Sequence, residues 1–495
     1  MSQLRLRPAA IVLATVAASS WAASSVATGD AVPWPWGRAP STSELVAAVA
    51  EADELHARER LEAYLEAAER GEDQGHIQVF QEWIDEGRYD LDRIFLFGDA
   101  LFDHSFRFDD GFGGFGERRG LSRVHDGQRG GRDTYSCAGC HSRGGLNGAG
   151  SFTQNALLLG DGDRASSALA RNAPHVLGVG PVQVLGAEMT RLLDDLRREA
   201  LERAALEQRT VNVELVAKGV SFGRLAARPD GTLDTSEVEG VDADLVVRPF
   251  GWKGDTARLR RFVEDAARIH FGIQSHVLAI QHEVDPDPAN MGNGPWYDPD
   301  GDGVQRELEE GLLTAGAVYL AMLEAPVVLP PNDPSLRLRW AEGSALFDEV
   351  GCSSCHLRQL PMTNPRWTEL PDTTDGPGVV VNVRSDGESP KTGGMVELFS
   401  DLKRHDMGPE LADAFEGPSG IPAAHFLTRP LWGLAETAPF LHDGRATTLH
   451  EAIRLHGGEA APSRDAYLAL SEHDQRSVHV FLLSLTRAPK MRVPR

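Results

Sequence analysis

Basic residues are scarce. The 495-residue chain holds 49 Lys and Arg against 73 Asp and Glu, a net charge of −24 at pH 7. Nucleic-acid phosphates would be repelled, which argues against nucleic acid as a partner. The surplus suits a soluble protein, or one that steers a basic partner. Long apolar runs are missing too. The run Ala9–Ala18 is too short to span a bilayer comfortably. Arg5 and Arg7 precede it and small residues follow, so residues 1–27 read as a secretory signal with cleavage after Ala22 or Ala27. No twin arginine and no lipidated cysteine accompany it. The expected product is periplasmic and soluble, without stable membrane insertion; an uncleaved anchor is the alternative.

Cysteine is nearly absent, with four in the whole chain. All four fall in two motifs, Cys137-Ala-Gly-Cys140-His141 and Cys352-Ser-Ser-Cys355-His356. C-x-x-C-H is the attachment signature of c-type haem. Two thiols meet two vinyl groups on one porphyrin edge, and the next histidine reaches the iron from one face. A four-cysteine zinc site would need the two pairs closer in sequence, and a thioredoxin-like pair would need no histidine. Disulfides across two-residue gaps would staple little chain. Two covalent haems are therefore expected, with His141 and His356 as iron ligands.

The periodicity predicts helices over 43–70, 185–209, 256–271, 305–324, 408–415, 448–456 and 471–485. Short strands are expected at 211–220 and 245–249, with long loops at 107–133 and 361–395. Pro330-Pro-Asn-Asp-Pro334 reads as a linker. The expected fold class is mainly α: two cytochrome c-like haem domains with long loops and a few short strands. The expected layout is a signal peptide over 1–27, a helical extension over 28–94, a first haem domain over 95–330 and a second over 331–495.

Asp298, Asp300, Asp302, the Val304 carbonyl and Glu309 fall at positions 1, 3, 5, 7 and 12 of an EF-hand-type loop, with Gly303 at position 6. One calcium ion is expected there; a solvated acidic turn is the alternative. Arg306 stands at position 9, and residues 290–297 do not read as a leading helix.

Thr448-Leu-His-Glu451 is a capping box that opens a short helix, and Gly457 and Gly458 close it. Helical spacing places Leu449, Ala452, Ile453 and His456 on one apolar face. An inward histidine is ordinarily a core residue with a hydrogen-bond partner. Here a haem motif lies nearby in sequence, with a second axial position to fill or leave open.

The segment Leu427–Ile453, with its Phe440-Leu-His442-Asp-Gly stretch, resembles the C-terminal signature of the bacterial di-haem cytochrome c peroxidase superfamily. The segments 248–253, 401–413 and 456–460 are similar to its di-haem oxidoreductase branch. The resemblance covers roughly residues 95–485 and implies that His456 is the second axial ligand opposite His356. Methionine stands at the matching position in other peroxidases of the superfamily. It implies that His442 tunes this site by hydrogen bonding. The first haem then becomes the candidate reaction centre, and the resemblance does not identify its acid–base group. By chemistry alone His270, His175, His276 and Glu188 are candidates, with His270 first. Trp252 is a candidate electron relay, against the simpler reading of a packed tryptophan.

Three functions fit this frame. One is an exported peroxidase reducing hydrogen peroxide at the first haem, fed through the second by a small, basic donor cytochrome. Another is a di-haem oxidase or oxygenase acting on an organic or protein substrate. The last is a pure electron-transfer cytochrome.

Overall fold

The computed structural model describes residues 79–113, 133–284, 303–304, 307–383, 394–417 and 419–488. The expected signal segment and the helix expected at 43–70 lie outside the described residues, as do Asp298, Asp300 and Asp302.

Eleven α-helices are present among the described residues. They are α1 Gln81–Asp85, α2 Leu91–Asp103, α3 Cys137–Cys140, α4 Val179–Glu207, α5 Leu259–Ala266, α6 His276–Val284, α7 Glu310–Met322, α8 Pro334–Glu349, α9 Leu449–Arg454, α10 Ala461–Leu468 and α11 Glu472–Leu482. The strands are short and antiparallel. The longest pair, Val211–Ala217 with Val220–Ala227, packs on α4. The fold is mainly α.

Two helix crossings organise the hydrophobic interior. α7 is buried along all of its length because it carries apolar and small residues on every side. Its partner α2 approaches it through Gly98, where an added Cβ would stand 2.2 Å from the Ala315 carbonyl oxygen. α8 crosses α11 in the same manner: a Cβ on Gly343 would stand 1.8 Å from the Ser477 carbonyl. Around the second crossing Phe347, Phe399, Tyr467, Val478, Phe481 and Leu482 form one apolar cluster.

Several expectations differ from the structure. Residues 408–415 form turns because Gly408 takes φ 76 against the backbone of Gly458. No strand forms at 245–249. Leu245 has φ 63, the Val247 amide bonds Oγ1 of Thr190, and Arg248 is held by Asp242 and Asp244. The linker read at 330–334 ends in a helix start: Asp333 caps the amides of Ser335 and Leu336, and Pro334 sits in the first turn of α8.

Candidate functional site: two facing cavities

Each cysteine motif opens on a cavity. Ser136 caps α3 by accepting the Gly139 amide at 3.1 Å, which presents Cys137, Cys140 and His141 to the first cavity. The second motif is a single 3₁₀ turn, Cys352–Ser354, entered through Gly351 at φ 85. Cys352, Cys355 and His356 line the second cavity.

The motif histidines share one hydrogen-bond pattern. His141 Nδ1 donates to the Gly148 carbonyl at 3.3 Å, and His356 Nδ1 to the Phe399 carbonyl at 3.1 Å. That bond fixes the tautomer and leaves Nε2 as the ligating nitrogen. Burial pushes both imidazoles down to about 4, so both are neutral and suited to an iron at neutral pH.

His456 follows the same pattern. Its Nδ1 donates to the Ala452 carbonyl at 2.7 Å, one turn back along the chain. Leu449, Ala452, Ile453 and His456 all line the second cavity with His356. The capping box is formed between Thr448 and Glu451. Burial lowers the proton affinity of His456 as well.

In the first cavity His270 stands out. α5 ends in a wide π-type turn, Ala267–Phe271, a local winding that recurs at functional sites. His270 Nδ1 lies 2.7 Å from Oδ2 of Asp133, whose side chain is almost wholly buried. Nε2 of His270 makes no hydrogen bond among the described residues. His270 and His141 line the same cavity. The carboxylate partner was not visible in the sequence, because Asp133 and His270 lie far apart along the chain.

Six residues line both cavities: Asn172, Ala173, Pro174, His175, Trp252 and Arg429. Trp252 Nε1 donates to the Asn172 carbonyl at 2.7 Å, so the indole is fixed in this shared wall. His175 is in the wall with both ring nitrogens engaged. Nε2 donates to the Trp432 carbonyl at 2.8 Å, and Nδ1 accepts the Leu177 amide at 3.2 Å.

The remaining candidates fall elsewhere. Glu188 lines neither cavity; it accepts the amides of Thr363 and Asn364 and pairs with Lys218 at 2.5 Å, bracing α4. His276 begins α6 outside both cavities. His442 does line the second cavity, but the expected hydrogen-bond tuning is not seen among the described residues. Its ring stacks on Phe426 at 4.3 Å, and Nε2 is 3.8 Å from Asp413, beyond bonding distance. Of the calcium candidates, Val304 and Glu309 are described, and Glu309 is buried at the start of α7.

Residues 337–485 match the family model described as "Di-haem oxidoreductase, putative peroxidase". This segment is similar to di-haem oxidoreductases. The match contains Cys352, Cys355, His356 and His456, and the di-haem oxidoreductase family implies haem cofactors. The cavities fit that cofactor in chemistry: apolar walls, a cysteine pair and neutral histidines. Solved structures similar to the chain include the diheme peroxidase BthA from Burkholderia thailandensis (14% identity over 81% of this chain and 89% of that one, TM-score 0.36). Others are a MauG-like protein associated with microbial copper homeostasis (15%, 61% and 89%, TM-score 0.27) and hydrazine synthase of Kuenenia stuttgartiensis (16%, 58% and 87%, TM-score 0.24). These likenesses are too distant to carry a fold assignment. No curated protein matches the chain.

Proposed function

We propose that the protein is an exported, periplasmic di-haem c-type oxidoreductase that reduces hydrogen peroxide at the first cavity. A haem would be held in each cavity by thioethers from Cys137 and Cys140 or from Cys352 and Cys355. His141 would ligate the first iron, and His356 and His456 the second. Haem iron, when bound, supplies the redox chemistry.

The observation that carries the reading is the His270–Asp133 pair in the first cavity. Reducing peroxide to two waters takes two electrons and two protons, and one proton must move between the peroxide oxygens as the O–O bond breaks. His270 Nε2 is placed to accept and return that proton, while Asp133 holds Nδ1–H and fixes the tautomer. Trp252, in the wall common to both cavities, is the electron relay. The acidic chain favours a small, basic cytochrome as donor. A calcium ion at Asp298, Asp300, Asp302, Val304 and Glu309 would order the approach to α7. It is supported by Gly303, whose φ of 94 suits the sharp turn at the sixth loop position.

A second reading rests on the same histidine. Nε2 of His270 could ligate the first iron, closing both sites and leaving an electron carrier. Absorption and EPR spectra of the purified protein, oxidised and half-reduced, with stoichiometric peroxide, separate the two. A high-spin first haem that reacts quickly with peroxide supports the peroxidase. Two low-spin haems that ignore peroxide in every redox state support the carrier.

A further inference from the structure

Among the described residues, the basic side chains that line the two cavities have acidic partners, with one exception. Arg171 and Lys253 both meet Asp413, Arg261 meets Glu264, Arg268 meets Asp265 and Arg464 meets Asp465. Arg429 has no acidic partner and no side-chain hydrogen bond among the described residues. Its guanidinium lies 5.6 Å from the ring centre of Trp252, a cation–π contact. Burial alone depresses its proton affinity, to about 10, with no acid to offset it. Arg429 is half-buried in the cavity wall, and a cation withdrawn from water without a partner is costly, so the site is built for an anion that the polypeptide does not supply.

The position of Arg429 narrows the choice of anion. It lines both cavities, and the wall it shares with Asn172 through His175 and Trp252 contains none of the four cysteines. Its backbone is held on both sides, by Leu427 N–H to the Trp252 carbonyl at 3.0 Å and Leu431 N–H to the Leu398 carbonyl at 3.1 Å. A guanidinium offers five donors in a planar fork, enough for two carboxylates. Each haem carries two propionates on the porphyrin edge away from the thioether-bearing vinyls.

We propose that Arg429 is a shared propionate anchor, binding one carboxylate from each haem across the wall between the cavities. The inference rests on the two-haem reading above. It gives the residue two tasks. It fixes both porphyrins against a common point, and its charge is neutralised beside the indole of Trp252, which an unpaired cation would make harder to oxidise.

The test uses the full-length holoprotein with Arg429→Gln and Arg429→Lys. Haem is first counted by mass and by alkaline pyridine spectra; an unsubstituted protein without two covalent haems defeats the two-haem reading itself. With two haems present, the midpoint potential of each is measured by spectroelectrochemistry. Arg429→Gln should lower both potentials, since a lost cation no longer favours the more negative reduced state. Arg429→Lys, which keeps the charge and loses the fork, should lower them less and shift the propionate-bending bands of both haems in resonance Raman spectra. Unchanged potentials overturn the proposal, and a fall at one haem alone overturns the sharing. Should Arg429→Gln fail to fold, unshifted propionate bands in Arg429→Lys overturn it equally.

Discussion

Oδ2 of Asp133 stands 2.7 Å from Nδ1 of His270, joining the end of a long glycine-rich segment to the last turn of a helix far away in sequence. The bond sets which nitrogen of His270 faces the first cavity.

His270→Ala should slow the reaction with peroxide by about 10²–10⁴-fold, the usual contribution of a positioned acid–base group. Asp133→Asn should cost about 10–100-fold, as for other groups that orient a histidine from behind. Stopped-flow mixing of the half-reduced protein with peroxide measures both. Rates that match the unsubstituted protein in both variants would remove His270 from the mechanism.

His456→Met should raise the potential of the second haem and change its low-spin spectrum, because histidine–methionine ligation favours the reduced state relative to bis-histidine. The first haem should be unaffected. A second-haem spectrum identical to that of the unsubstituted protein would show that another group holds the sixth position.

Trp252→Leu should slow electron transfer between the two sites while leaving both haem spectra intact. Flash reduction followed at each haem separately gives the rate. An unaltered rate would return Trp252 to a packing role.

His405 links stability to alkaline pH. Its Nε2 faces Asp401 at 2.8 Å and its Nδ1 faces Glu459 at 2.7 Å. Burial is the largest single effect and lowers its pKa, but hydrogen bonding and charge from Asp401 and Cys355 together outweigh it, and the value rises to about 11. The folded value is above the unfolded value of about 6.5. Its stabilisation is therefore complete below about 6.5 and is lost as pH rises through about 11. The melting temperature should fall as pH rises across that window, and His405→Gln should flatten the decline. Parallel curves for the two proteins would exclude the linkage.

Arg260 is the centre of a buried ion network with Glu310, Glu369 and Asp372, and burial raises Glu369 to about 7 despite the arginine. Arg260→Ala leaves carboxylates buried and uncompensated, a loss of about 3–5 kcal/mol. Denaturant unfolding at constant haem content measures it; a loss below about 1 kcal/mol would mean that the network relaxes into water.

Local chemistry was legible in the sequence wherever neighbours in the chain do the work. Thr448 and Glu451 form their capping box, and the spacing that groups His456 with Leu449 and Ile453 puts all three in one cavity wall. The strand start at Val211 and most long helices followed from the sequence, although the strand expected to run to 220 turns at Lys218 and Gly219 into a hairpin and α4 begins several residues earlier than expected. The α8 helix was hidden behind its proline-rich start. Long-range pairings were not legible. Asp133 meets His270, Glu188 is spent on Lys218 and two backbone amides, and Arg429 reaches both cavities through folding alone. Nothing in spacing or composition marks such partners, because each needs the tertiary structure to bring it within reach.

The wide turn at 267–271 has an evolutionary corollary. Such a turn amounts to one residue more than regular α-winding would use. Deleting one residue there would rotate whatever follows by about 100° and swing the imidazole out of register with Asp133. Relatives with and without that extra residue would then share their cysteine motifs yet differ in whether the first haem faces a histidine. A one-codon length change would separate them more sharply than any substitution.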